Sequence, residues 1–301
     1  MSATSSTPTP MSDSVPASVS ASASYAPVGA PGAAEPRARF HDLVVAEWIK
    51  LRSLRSTFVA YGATALAVIA FNAGTAYDTY NYWGTRAAAD RAAFIREGVA
   101  LQHAFTVNAA MVMVLALGAI GALAVIGEYS TGTIRTTFAA VPARRSVMAA
   151  KAVVVAVVTT AFGFFVAGAS FVLTQAILDG RGVGASIGDP GALTLVVASA
   201  LLSPVCALAG LALGAVIRQT AGTMTATVAV LVLLPLALTD GRHWSAVADH
   251  AMPFQAWIRL SEVNHPQTAF PWTASGAWTV YAVWVLAAAV LAVTSVHRRD
   301  Q

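Results

Sequence analysis

The chain has 301 residues, of which 57% are hydrophobic and only 11% charged, and its mean hydropathy is +0.66. About a quarter of the residues of a soluble domain are charged, so this composition excludes a water-soluble globular protein and predicts an integral membrane protein. The net charge of +4 would suggest nucleic acid in a soluble domain, but here membrane orientation explains it without a nucleic-acid partner, and the single cysteine, Cys206, excludes an intrachain disulfide and a cysteine-based metal site.

Residues 1–36 are built almost entirely of Ser, Ala, Thr, Pro, Val and Gly. They offer too little apolar surface to offset their ordering entropy and are predicted to be a disordered tail. No basic start followed by an apolar core is present, so the tail does not read as a signal peptide, and a start at Met11 fits the sequence as well as one at Met1. Residues 37–56 follow as an amphipathic helix lying in the membrane surface. Phe40, Leu43, Val44, Trp48, Leu51 and Leu54 share one arc of a helical wheel, with Arg39, Asp42, Lys50 and Arg52 away from it. Glu47 projects into the middle of that apolar arc, where a carboxylate must be neutralised or partnered. It either snorkels to Lys50 one turn on or serves as a docking residue.

Six uncharged runs come next, at 57–77, 105–126, 152–178, 193–217, 221–239 and 276–296. Each is near the roughly 20 residues that a helix needs to cross about 30 Å of hydrocarbon. The prediction is an all-α polytopic protein with six transmembrane helices in a membrane domain over 57–299. Alternating strand-like runs of barrel length are absent. With both termini placed in the cytoplasm, 12 basic residues fall inside (Arg37, Arg39, Lys50, Arg52, Arg55, Arg135, Arg144, Arg145, Lys151, Arg218, Arg298 and Arg299) and 6 outside. That bias sets the predicted orientation. Lys50 and Lys151 are the only lysines, and Ala and Val dominate, which reads as the codon bias of a high-GC bacterium.

The last outside loop, 240–275, carries Trp244, Trp257 and Trp272 with Phe254 and Phe270. Such aromatics suit the headgroup zone, so a short helix around 254–262 dipping into the outer leaflet and an ordinary interfacial loop both fit. The loop also holds Asp240, His243, Asp249 and His250, a spacing that matches no metal motif. No GxxxxGK[ST] or HExxH occurs, so neither a phosphate loop nor a zinc-protease site of those types is encoded. None of the six runs contains Asp, Glu, Lys, Arg or His. An ion-driven carrier commonly keeps such a group in the bilayer, so the energy for any transport is expected from outside the chain. Gly118 with Ala122, Gly163 with Ala167, and Gly210 with Gly214 have small-xxx-small spacing, which marks close helix packing but no particular partner.

Two stretches remain: Glu47-Trp48-Ile49-Lys50-Leu51-Arg52-Ser53-Leu54-Arg55-Ser56 before the first span, and Gly127-Glu128-Tyr129-Ser130-Thr131-Gly132-Thr133-Ile134-Arg135 after the second, the latter followed by Pro142, Arg144, Arg145 and Lys151. Together they resemble the two signatures of bacterial ABC-2 type transporter permeases, over roughly 39–299. The resemblance implies an ABC-2 (ABCG-like) exporter permease fold. It also implies a homodimer or a pair with a related permease, and separate cytoplasmic ABC ATPase subunits that hold ATP and magnesium, with no cofactor on this chain. By the same resemblance, the ATPase-coupling residues would be Glu47, Glu128, Tyr129, Ser130, Thr131, Gly132, Thr133 and Arg135. Glu128 would accept bonds from the ATPase or Arg135, and Ser130 or Thr131 would cap a short helix through Ile134 and Phe138 that Pro142 helps to end. The protein would be a non-enzymatic export permease of a bacterial cell membrane, surrounded by lipids and moving an amphipathic drug, peptide or lipid-like substrate. An ion-driven secondary transporter, an intramembrane enzyme, and a membrane sensor or immunity protein without transport are the competing readings.

Overall fold

In the computed structural model, the described residues are 39–141, 143–238, 242–262 and 270–295. The predicted disordered tail, Pro142, Asp240, Arg298 and Arg299 lie outside them. All described regular structure is helical, with six helices long and apolar enough to cross a membrane.

Helix α1 (Phe40–Ser53) begins where the Asp42 carboxylate accepts the Arg39 N–H at 2.9 Å, and it ends at Leu54, whose backbone is extended. The first spanning helix, α2 (Arg55–Tyr82), buries one stripe: Thr64, Val68, Asn72, Ala76 and Thr79. It runs past Asp78, where the uncharged run ends, because a carboxylate on the exposed side of a helix end does not stop the helix. Two short helices, α3 (Ala88–Arg96) and α4 (Val99–Gln102), fill the loop that follows. Trp83 and Phe94, with ring centroids 5.2 Å apart, close a small apolar cluster there with Ala76, Ala100 and Leu178.

The second span is α5 (Val107–Ser130), and after one turn α6 (Thr133–Ala140) leads to the third, α7 (Arg144–Asp179). At 36 residues, α7 is about 54 Å long at 1.5 Å per residue, well beyond the hydrocarbon thickness. Its first two turns therefore project into the headgroup layer, and the uncharged run marked only the lipid-crossing part. The fourth span, α8 (Ala192–Ile217), is the most buried of the six. It is the central post, packed against α5 and α7.

Close approach requires glycine at those contacts. A Cβ on Gly121 would come 1.8 Å from the Ala207 carbonyl oxygen, one on Gly210 1.9 Å from that of Gly118, and one on Gly163 2.1 Å from that of Ala200. The small-residue spacings are thus used within this chain.

The fifth span combines α9 (Thr220–Val228), a π-helical turn at Ala229–Leu233, and α10 (Leu234–Ala237). Pro235, which has no N–H, comes one residue after the widened turn. Beyond it, α11 (His243–His250) packs against α12 (Pro253–Ser261), which folds back over α8, and the sixth span, α13 (Ala274–Ser295), closes the bundle. On α12, Phe254, Trp257 and Leu260 are all buried, and the Trp257 indole donates to Ser199 Oγ on α8 at 2.9 Å. A helix therefore occupies the place where the sequence allowed either a dipping helix or a plain loop.

The polar residues inside the spans hold the bundle together. Asn72 on α2 donates to Ser170 Oγ on α7 at 3.0 Å and accepts from the Thr106 N–H and hydroxyl, each at 2.9 Å. Gln175 donates to the Ala100 carbonyl at 2.9 Å and accepts the Ala185 N–H at 2.8 Å.

Candidate functional site at the basic end

At the end of the bundle where α1, α6 and the start of α7 meet, helical periodicity brings one face of α1 onto one face of α7. Leu43 packs with Val147 and Ala150. One turn further along, Glu47 stands opposite Lys151, and both residues are only 5% exposed. Glu128 reaches the same point from the last turn of α5.

The result is a closed network of four charges. The Lys50 ammonium donates to Glu47 Oε1 at 2.7 Å and to Glu128 Oε1 at 3.2 Å. The Lys151 ammonium donates to Glu128 Oε1 at 2.8 Å and pairs directly with Glu47 Oε2. Two positive and two negative groups balance, which is how charges are retained at a buried position. Burial alone would lower the pKa of Lys50, but the hydrogen bond to Glu47 and the charges of Glu128 and Glu47 outweigh it, so the ammonium is held above the usual lysine value. Glu128 Oε2 is buried with no protein partner.

The other predicted coupling residues build the turn after α5. Ser130 Oγ and Thr131 Oγ1 both donate to the Gly127 carbonyl, at 3.1 and 2.8 Å, adding to the Thr131 N–H that it accepts at 3.2 Å at the C-terminus of α5. They do not cap α6, contrary to the expectation from the sequence. The N-cap of α6 is Gly132, at φ +73°, a left-handed conformation that glycine adopts without strain. Thr133 Oγ1 lies 2.9 Å from Thr131 Oγ1, and Tyr129 lies under the Arg218 guanidinium, 5.0 Å from it. Ser130, Thr131, Thr133, Arg135 and Thr136 are exposed.

Glu128 therefore pairs with Lys50 and Lys151, where the sequence pointed to Arg135 or the ATPase. The members of the network that the predicted coupling residues leave out are its two cations, Lys50 and Lys151. A signal for them exists, since they are the chain's only lysines. A lysine ammonium is a compact charge with three donors, suited to bridging two carboxylates where a planar guanidinium is not.

At the opposite end, His243 sits edge-on to Phe270, and His250 stacks on Trp272 with ring centroids 4.5 Å apart. Among the described residues, no group of three His, Cys, Asp or Glu could hold a metal ion.

Six spans, the fourth of them central, with a surface helix ion-paired to the ends of the second and third, define a multi-pass membrane protein with a cluster of charges at one end. Residues 43–237 match the family model described as ABC-2 family transporter protein, and the chain belongs to that family. It is thus an ABC-2 type permease, a membrane component of an ABC transporter, and membership implies association with an ABC transporter ATPase. A search of curated protein sequences finds no match.

Proposed function

We propose that this chain is the permease subunit of an ATP-driven exporter in a bacterial cytoplasmic membrane, paired with a second copy or a related permease. Its basic end faces the cytoplasm, and the fuel is ATP with magnesium on a separate ATPase. The observation that carries this reading is the four-charge network. It clamps α1 to the ends of α5 and α7, so that α6, carried between those two ends, is mounted on a rigid base. A push on α6 would then reach the surface helix and two spans together. Thr133, Thr136 and Ala140 line one exposed face of α6, at spacings of three and four residues, and form the proposed ATPase contact. Glu47, Glu128, Tyr129 and Gly132 set its position. The substrate class that fits uncharged spans is an amphipathic drug, peptide or lipid-like molecule.

Glu128→Arg does not test docking, because a third cation between Lys50 and Lys151 would disrupt the clamp itself. The informative variants are Thr136→Trp and Ala140→Trp on the exposed face, where surface changes usually alter stability by less than about 0.5 kcal/mol. Co-expressed with its ATPase, each is expected to insert and melt like the wild type while retaining less than about a tenth of the ATPase in a pulldown, a loss of about 1.4 kcal/mol. Retention of the ATPase at wild-type levels by both variants would rule out this contact.

A further inference from the structure

Beside the charge network lies a second polar feature at the same end. A recess of about 560 Å³ is lined by Tyr129, Ile134, Phe138, Arg135, Arg144 and Arg218, with Gly132 and Ala139 completing the wall. Its described lining therefore carries three guanidinium groups and no carboxylate. Two of the three are held in place. Arg218 has a left-handed backbone at φ 60°, donates to the Ala215 carbonyl at 3.3 Å and to the Ser295 carbonyl at 3.1 Å, and lies over the Tyr129 ring. The Arg144 guanidinium sits 5.3 Å from the centre of the Phe138 ring. Cations fixed by stacking and backbone contacts lose little side-chain freedom when an anion arrives.

We propose that this recess binds the phosphate of an anionic phospholipid from the adjoining leaflet. Its depth in the membrane points to that ligand. Arg144 opens the overlong α7, Tyr129 is in the last turn of α5, and Arg218 directly follows α8, so all three stand where helices leave the hydrocarbon and enter the headgroup layer. The nearby α1 turns Phe40, Val45, Trp48 and Ile49 outward, an apolar surface suited to acyl chains at that level. The lining is also divided in the way a phospholipid is divided. The guanidinium groups suit the phosphodiester, and Ile134, Phe138 and Ala139 suit the glycerol and upper chains. The volume lies within the range of small-molecule sites. The ATPase face proposed above, on Thr133, Thr136 and Ala140, is the other side of α6, so this site stands independently of that reading.

The test is lipid retention by the full chain in detergent, counted by native mass spectrometry with phosphatidylglycerol against phosphatidylcholine, with and without excess glycerol phosphate or inorganic phosphate. Retention of one phosphatidylglycerol in preference to phosphatidylcholine is expected, with little displacement by the soluble phosphates. Arg144→Gln should weaken it about fivefold, the size of one charge near a membrane surface, and Arg144→Gln with Arg218→Gln by about 25-fold. Arg145→Gln removes the same charge one residue away, from a position that does not line the recess, and should leave retention unchanged. If the double variant loses its melting transition, the contrast between the Arg144 and Arg145 single variants decides. Equal weakening by Arg144→Gln and Arg145→Gln, equal retention of both lipids, or full displacement by soluble phosphate would overturn the proposal. So would variants that keep the lipid and lose only the ATPase, which would reassign the recess to an acidic partner surface.

Discussion

Lys151 decides whether the basic end holds together. It is nearly fully buried and touches both carboxylates of the network, so removing its charge leaves Glu47 and Glu128 facing each other with only Lys50 to neutralise them. Breaking a buried ion pair from one side costs about 3–5 kcal/mol. Lys151→Met is accordingly expected to destabilise the detergent-solubilised protein by that amount in chemical unfolding. Lys151→Arg keeps the charge but forces a larger planar group between two carboxylates, for a loss of about 1–3 kcal/mol. Adding Glu128→Gln to Lys151→Met removes one charge of each sign and should recover part of the loss, which simple misfolding of either single variant would not do. Lys50 adds a pH dependence of known sign. Its pKa is raised on folding, so its stabilisation is fully present below the usual lysine value and is lost only as pH rises through the higher folded value. The attachment of α1, read by the accessibility of a label at Ile49, should therefore be flat from neutral pH to about pH 9 and weaken only in the strongly alkaline range.

Among the elements, α8 sets the tolerances of the bundle. Helix association in lipid depends on van der Waals contact between small residues rather than on water exclusion. At α5 and α8 the backbones come so close that a single methyl group has no room: Gly121 faces the Ala207 carbonyl, and Gly210 faces that of Gly118. Gly121→Ala and Gly210→Ala should each force the helices apart and cost about 1–3 kcal/mol or more. At Gly74, on the exposed side of α2, an added methyl group would meet nothing within 4 Å, so Gly74→Ala should be neutral or stabilising by up to about 1 kcal/mol through helix propensity. Unfolding midpoints for the three variants check this contrast. If Gly121→Ala and Gly210→Ala behave like Gly74→Ala, the α5 and α8 contact is looser than described.

The whole molecule is asymmetric along the membrane normal. One end carries the four-charge network and the arginine-lined recess, the other carries α3, α4, α11 and α12 with their aromatic clusters, and the spans between bury neutral polar residues, among them the tie of Asn72 to Ser170. No carboxylate, ammonium or imidazole occurs in the six uncharged runs themselves. Coupling to an ion gradient therefore has no carboxylate, ammonium or imidazole within those runs to act on. Reconstituted alone, the chain should show no uphill flux of an amphipathic dye under a proton or sodium gradient. Flux that follows either gradient without an ATPase would favour the ion-driven carrier over the exporter.

The sequence determined the class of this protein, because hydrophobic run length and internal backbone hydrogen bonding leave a chain of this composition few options except six spanning helices. It also marked Glu47 and the 127–135 stretch as positions whose polarity needed a reason. The tertiary structure supplied the partners of Glu47 and Glu128. Glu47, Glu128 and Lys151 are separated by tens of residues, and only the packing of α1 and α5 on α7 brings their charges within hydrogen-bond reach. The same holds for the helix ends: a run of uncharged residues reports where lipid is, whereas the length of α7 is set by backbone bonding that continues into the headgroups. Pairwise encounters between distant elements depend on crossing geometry and close approach, which residue periodicity along one helix does not encode.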